Sequence, residues 1–279
     1  MTAAPSDARP ALAGRARMSP RRRAQASRRV QYAILVLIVV AVAVTADWGR
    51  VGSAFFNPES IRAIASRLPQ AALNTITYTG AAFSVGLALG LVLALMKLST
   101  VRVYRVLATG YIEFFRGIPA LLVVFAFGYG IPAALEVRFE SVILPIALAL
   151  GMVSAAYIAE TIRAGIQAVP RGQVEAARSL GMSPRSTLTH VVVPQALRIV
   201  LPPLTNEAVL LTKDTSLVFA LGLTPATYEL TRLGRGALSE ADGGMTSILA
   251  VGVMYLLITI PLSSLTRWLE RTTGYKGHV

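Results

Sequence analysis

The 279-residue chain has no cysteine, which excludes a disulfide framework and a thiolate metal site and removes any redox clue to compartment. His190 and His278 are its only histidines and stand far apart in the sequence. With no aspartate-rich metal motif and no serine placed beside a base, the residues of an intramembrane enzyme are missing. So is the GxxxxGK[ST] phosphate loop, which leaves any nucleotide hydrolysis to a partner. Charge is scarce and one-sided: charged residues make up 15% of the chain, with 14 acids against 27 bases and a formal charge of +13. What remains is apolar. Hydrophobic residues make up 54% of the chain and mean hydropathy is +0.60, a balance that belongs in a bilayer.

Six runs are candidates to cross about 30 Å of hydrocarbon, which takes roughly 20 helical residues. The first, "VQYAILVLIVVAVAVTA" from Val30 to Ala46, follows a basic leader as a cleavable signal would. The following "DWGR", the length of the leader and the interfacial Trp48 favour retention. The second runs from Ala71 to Met96, with Gly80, Gly86 and Gly90 as small positions where another helix can approach. The third is charge-free from Gly117 to Leu135, behind "YIEFFRG", in which Glu113 and Arg116 can pair. The fourth, Val142 to Ala159, leads into a second such pair, Glu160 and Arg163. The fifth extends from near Ile199 to near Leu223 and the sixth from Met245 to Thr266.

A charge of +13 would suit nucleic acid, but the bases lie between the apolar runs and sort to one side of them. Eight arginines precede the first run, and Lys97, Arg102 and Arg105 follow the second. Arg163, Arg171, Arg178, Arg185 and Arg198 surround the segment after the fourth, and Arg267, Arg271 and Lys276 follow the sixth. The opposite face receives Arg50, Arg62, Arg67, Arg138, Arg232 and Arg235. By the positive-inside rule both termini and the segment after the fourth run are expected to be cytoplasmic. The basic leader reads as a solvated tail touching anionic lipid.

That segment, "EAARSLGMSPRSTLTHVVVP" from Glu175 to Pro194, is polar and helix-forming. Gly181 suits a left-handed helix end, Ser183 an N-cap and Pro184 a first helical position, so the sequence predicts two short helices about a glycine elbow, the second ending at or before Pro194. Leu188, Val191 and Val192 are expected on one face of it. Such a hairpin also resembles a DNA-reading helix-turn-helix that would offer Arg185 and Thr187. It has no third helix for a core, and spans on both sides would hold it against the membrane, so no nucleic-acid partner is expected.

The same residues resemble the cytoplasmic signature of inner-membrane permease subunits of bacterial ABC importers: EAA, three residues, Gly, nine residues, then apolar-x-apolar-Pro. Glu175, Ala176, Ala177, Gly181, Val191, Val193 and Pro194 match at every spacing, with Val193 where Leu is commoner. The flanks "YIEFFRGIPALL", "AAYIAETIRAGIQAVPRGQVEAARSLGMS" and "PQALRIVLPPLTNEAVLLTKDTSLV" look like the polar amino acid subgroup (His, Glu, Gln, Arg or opine), over about Pro69 to Arg267.

The resemblance implies an all-α type I ABC importer transmembrane domain with about six transmembrane helices, five of the core and one N-terminal. With the leader and first run, which lie outside the resemblance, the chain is expected to divide into a basic disordered cytoplasmic tail (1–29), an extra N-terminal transmembrane helix (30–46), an extracytoplasmic segment (47–68), the type-1 transmembrane domain (69–268, with the EAA loop at about 172–194) and a cytoplasmic tail (269–279). The implied partners are two ABC ATPase subunits, a second permease copy or a paralogue, an extracytoplasmic amino-acid-binding protein and membrane lipid. ATP and Mg would be held by the ATPase, with no cofactor, metal or catalytic residue in this chain. Glu175, Ala176, Ala177 and Gly181 would couple to the ATPase, the alanines permitting close approach and Gly181 setting the bend. A permease for another small polar solute remains open, whereas the EAA elbow and the lack of a fused ATPase speak against an exporter.

The fifth run carries the polar residues of a translocation pathway or gate. Asn206, Glu207, Lys213 and Asp214 fall within about 120° of one helix, a stripe that cannot face lipid cheaply. Internal pairing of Lys213 with a carboxylate and direct substrate contact are both consistent with it. Glu160 and Tyr157 are further candidates, with Asn74, Thr75 and Thr77 more simply read as interhelical hydrogen-bonding groups.

Overall fold

The computed structural model describes residues 20–239 and 244–273, and every regular element among them is helical. The chain divides after residue 52 into two units.

In the first unit α1 spans Pro20–Thr45, and its stretch Ser27–Thr45 is long and apolar enough to cross a membrane. The helix begins ten residues before Val30, so residues 20–29, expected in a disordered tail, are helical. Proline at the first helical position and a run rich in Arg, Ala and Gln favour this backward extension of an already nucleated helix. Residues 1–19 of the expected tail lie outside the described residues. At the other end Thr45 Oγ1 donates to Ala41 O at 2.6 Å and Trp48 Nε1 to Ala43 O at 2.7 Å, which occupies carbonyls that a helix end leaves free.

α2 (Trp48–Phe55) runs over the boundary in sequence. In the second unit follow α3 (Pro58–Ala65), α4 (Leu68–Leu98), α5 (Arg102–Gly117), α6 (Ala120–Phe125), α7 (Ile131–Leu135), α8 (Ile143–Gln167), α9 (Arg171–Ser179), α10 (Pro184–Thr187), α11 (Val193–Asp214), α12 (Leu230–Leu238) and α13 (Met245–Thr273). The centre is α8: 67% of its apolar stretch is buried, against 28% in α4 and 11% in α13. It packs along α4 because small residues let the backbones meet. A Cβ on Gly90 would stand 2.7 Å from Ile158 Cγ2 and 3.0 Å from the Ala155 carbonyl, and one on Gly86 would fall on Ser154 Oγ. Around this seam Ile112 and Phe115 of α5, Val124 of α6 and Val200 and Leu211 of α11 complete the core.

Three expected spans change shape. The third is broken: α5 and the limb 120–135 meet at 102°. Ile118 is extended (φ −95°, ψ 138°), the conformation that a following proline ring favours. The fifth starts earlier and ends earlier than Ile199–Leu223, because α11 gives way at Thr215 to a tight 3-10 stretch, residues 215–220. The sixth continues past Thr266, so residues 269–273 of the expected tail are helical and 274–279 lie outside the described residues. Among the described residues four helices are apolar and long enough to cross a membrane, five with the broken pair as one. The expected fifth, α11, has the length but is too polar to count with them.

Candidate functional site

The elbow forms as its residue types dictate. Gly181 has φ +82°, the left-handed region that costs other L-residues about 1–2 kcal/mol. Its N–H donates to Arg178 O at 3.0 Å, while Met182 N–H reaches back to Ala177 O at 3.1 Å. These two bonds satisfy the last carbonyls of α9. Arg178 Nη1 donates to Met182 O from across the turn. Ser183 Oγ then accepts from Ser186 N at 3.1 Å and caps α10, with Pro184 inside its first turn.

The second helix does not stop at Pro194. Residues 188–192 form a π turn, Val193 N–H donates to Leu188 O, and the chain passes without a break into α11. The wider turn changes the donor–acceptor register just where proline has no N–H to give, so the helix survives a residue that should end it. The inserted residue also splits the expected apolar face: Val192 is buried, whereas Leu188 is 48% exposed. Val169, Val192 and Ala196 form a small core with Ile166, Val174 and Ile199. This core fixes the elbow to the roots of α8 and α11.

Of the four expected coupling residues, Glu175, Ala176 and Gly181 face outward, and Ala177 is buried. Only one of the two alanines is therefore placed for close approach to another surface. Leu180, unremarked in the sequence, is 85% exposed at the tip. Its signal was its place, an apolar side chain directly before the turn glycine.

The polar candidates separate into three places. Tyr157, Glu207 and Asp214 meet, with Ser154 and Leu210, around a cavity of about 280 Å³ between α8, α11 and the 118–120 bend. Arg116 lies over the Tyr157 ring at 5.7 Å; it makes no ion pair with Glu113 among the described residues. Asn206 and Lys213 are exposed outside that cavity, and Lys213 has no ion pair among the described residues. The internal pairing weighed for Lys213 is thus absent there.

Glu160 stands apart from the cavity, at the elbow end of α8. It takes the expected bond from Arg163, Nη2 to Oε2 at 2.6 Å, and an unexpected one from Lys97 of α4, Nζ to Oε1 at 2.5 Å. Asn74 Nδ2 donates to Ala226 O and Tyr228 O, each at 2.9 Å, and Thr75 Oγ1 accepts from Leu230 N at 3.2 Å. Asn74 thereby pins α4 to the segment before α12, and Thr75 pins it to the first residue of α12. Among the described residues Thr77 Oγ1 bonds only within its own helix, to Leu73 O.

Residues 86–275 match the family of binding-protein-dependent transport system inner membrane components. The chain belongs to that family. It is a transport component of an ABC importer seated in the inner membrane; ATPase activity lies in separate subunits, and a substrate-binding partner completes the system. A probable glutamine ABC transporter permease protein of Bacillus subtilis is 35% identical over 198 residues, 71% of this chain and 89% of that one. A glutamate/aspartate import permease protein of Escherichia coli O157:H7 is 33% identical, over 72% of this chain and 90% of its own length. Among solved structures, an amino acid ABC transporter with histidines superposes with a TM-score of 0.70 at 32% identity, covering 76% of this chain and 97% of that one. A methionine ABC transporter in an inward-facing conformation shares the fold at a TM-score of 0.62 and 19% identity, over 75% and 97%.

Proposed function

We propose that this permease moves a polar amino acid inward by alternating access, driven by two ATPase subunits that dock on the elbow. The observation that carries the reading is the unbroken helical run from Pro184 to Asp214. It joins the docking tip to the carboxylates of the cavity through a rod that reaches Glu207 after roughly 35 Å and Asp214 after roughly 45 Å, at 1.5 Å per residue. A continuous helix carries displacement along its axis even though Pro202 and Pro203 leave two ladder bonds unmade, so closure of the ATPases on the elbow shifts Glu207 and Asp214 against Tyr157 of α8. Glu175, Ala176, Leu180 and Gly181 form the docking face, with Ala177 packed behind it. ATP and Mg are held by the ATPase. The cavity, about 280 Å³, falls at the small end of ligand sites, as an amino acid requires.

The charge distribution supports an elbow and both termini in the cytoplasm, with the binding protein arriving at the α12 end. The second half of the translocation pathway comes from another permease chain, a copy or a paralogue. Purification of the permease with its ATPase subunits tests the reading: a binding protein loaded with its amino acid should accelerate ATP hydrolysis in the membrane-embedded complex. Hydrolysis indifferent to every loaded and empty binding protein would refute it.

A further inference from the structure

A second cavity, of about 350 Å³, lies at the far end of α11 from the elbow. Tyr129, Phe219, residues 220–222, Arg232 and Arg235 line it. The two arginines are one turn apart on α12, where like charges repel. No carboxylate lines the cavity, and Glu229, the acid three residues before Arg232, is turned away to the backbone N–H groups of Thr231 and Arg232. Each guanidinium lies over an aromatic ring: Arg232 over Tyr228 at 5.1 Å and Arg235 over Phe219 at 4.7 Å. A ring against the face of a guanidinium leaves its N–H edges free, and that planar fork is the geometry that takes a carboxylate. Arg232 Nε is moreover buried and has no hydrogen-bond partner among the described residues. A buried charged donor without an acceptor is costly, and a negative charge in this cavity offsets it through the delocalised guanidinium.

We propose that Arg232 and Arg235 form a carboxylate-binding site at the extracytoplasmic mouth, which takes the α-carboxylate of the incoming amino acid before it reaches the inner cavity. The proposal rests on the reading of the chain as an amino acid permease. A small solute fits better than a side chain of the binding protein, because the two arginines line a concavity. Tyr129 Oη, bonded to Ala220 O at 3.0 Å, holds the broken third span against this mouth.

The test uses the complete permease–ATPase complex in nanodiscs, without ATP, and follows phenylglyoxal modification of Arg232 and Arg235 by peptide mass spectrometry. Each proteinogenic L-amino acid is added in turn at millimolar concentration, with glycinamide, which lacks the carboxylate, as the control. At least one amino acid should slow modification about threefold or more, the factor expected when its concentration is at least twice the dissociation constant. Glycinamide should not protect, and R235Q should abolish protection of Arg232. Failure of every amino acid to protect, equal protection by glycinamide, or protection by the empty binding protein alone would overturn the site. The readout needs no transport. Protection in a complex that imports no amino acid therefore refutes the transport reading and upholds the site, while import without protection refutes the site alone.

Discussion

Lys97 Nζ of α4 and Glu160 Oε1 of α8 stand 2.5 Å apart, while Arg163 holds the other carboxylate oxygen at 2.6 Å. The three charges tie the two central helices together at the end that carries the elbow. All are about one-fifth to one-quarter exposed, so their pairing is screened less than a surface ion pair. In a double-mutant cycle, K97Q and E160Q should show a coupling on the order of 0.5–3 kcal/mol, with E160Q the more harmful single change because it leaves two cations facing each other. Additive effects on unfolding would mean that the contact carries no stability.

The α4–α8 seam makes a second prediction. G90A forces a Cβ to within 2.7 Å of Ile158 and should cost about 1–3 kcal/mol through overpacking, lowering the thermal midpoint of the detergent-solubilised protein. G80A, whose Cβ meets nothing within 4 Å, should be neutral or stabilising by up to about 1 kcal/mol, as alanine is the better helix former. Equal effects at the two sites would remove the close approach as the reason for glycine at 90.

Much of this was legible in the sequence. Spacing alone placed Gly181, Ser183 and Pro184 in the elbow, since one needs φ > 0, one an acceptor and one a missing N–H. The Glu160–Arg163 pair follows from helical spacing. Lys97 did not, because its contact joins residues 63 apart and depends on how α4 lies on α8. The bend at Ile118–Pro119 was hidden by the apolar run around it, since hydropathy sets length and not direction. Pro194 misled in the opposite sense: proline ends an α-helix, but a π turn before it supplies the register in which its missing donor is harmless. The fifth span's stripe divided for the same reason, because only a neighbouring helix decides that Glu207 and Asp214 face a cavity while Asn206 and Lys213 do not.

A third prediction concerns Glu229, which lies between the spans, fully buried at the start of α12. Thr231 N, Arg232 N and Tyr255 Oη donate to it, yet burial outweighs these bonds and pushes its pKa up from 4.5 to about 7. An acid whose folded pKa is raised binds protons more readily in the folded state. Its penalty is absent below about pH 4.5, grows as pH rises to about 7 and is constant above that. Stability should therefore fall over this window in the wild type and change less in E229Q. Parallel stability profiles for the two proteins would contradict the assignment.

The inner cavity gives a fourth. E207Q and D214N should lower the rate of amino acid uptake about tenfold or more, with membrane insertion and thermal midpoint close to wild type. Loss of uptake only in step with loss of folded protein would make these carboxylates structural.

The coupling itself is tested most directly at Gly181, where nothing lies within 4 Å of an added Cβ and the cost of substitution falls on the backbone at φ +82°. In proteoliposomes holding the permease, its ATPase subunits and the loaded binding protein, ATP-driven uptake and ATP hydrolysis are measured together for wild type and G181W. The wild type should import amino acid in proportion to ATP consumed, and G181W should insert normally yet hydrolyse ATP without import. Normal uptake per ATP by G181W would contradict transmission through the elbow.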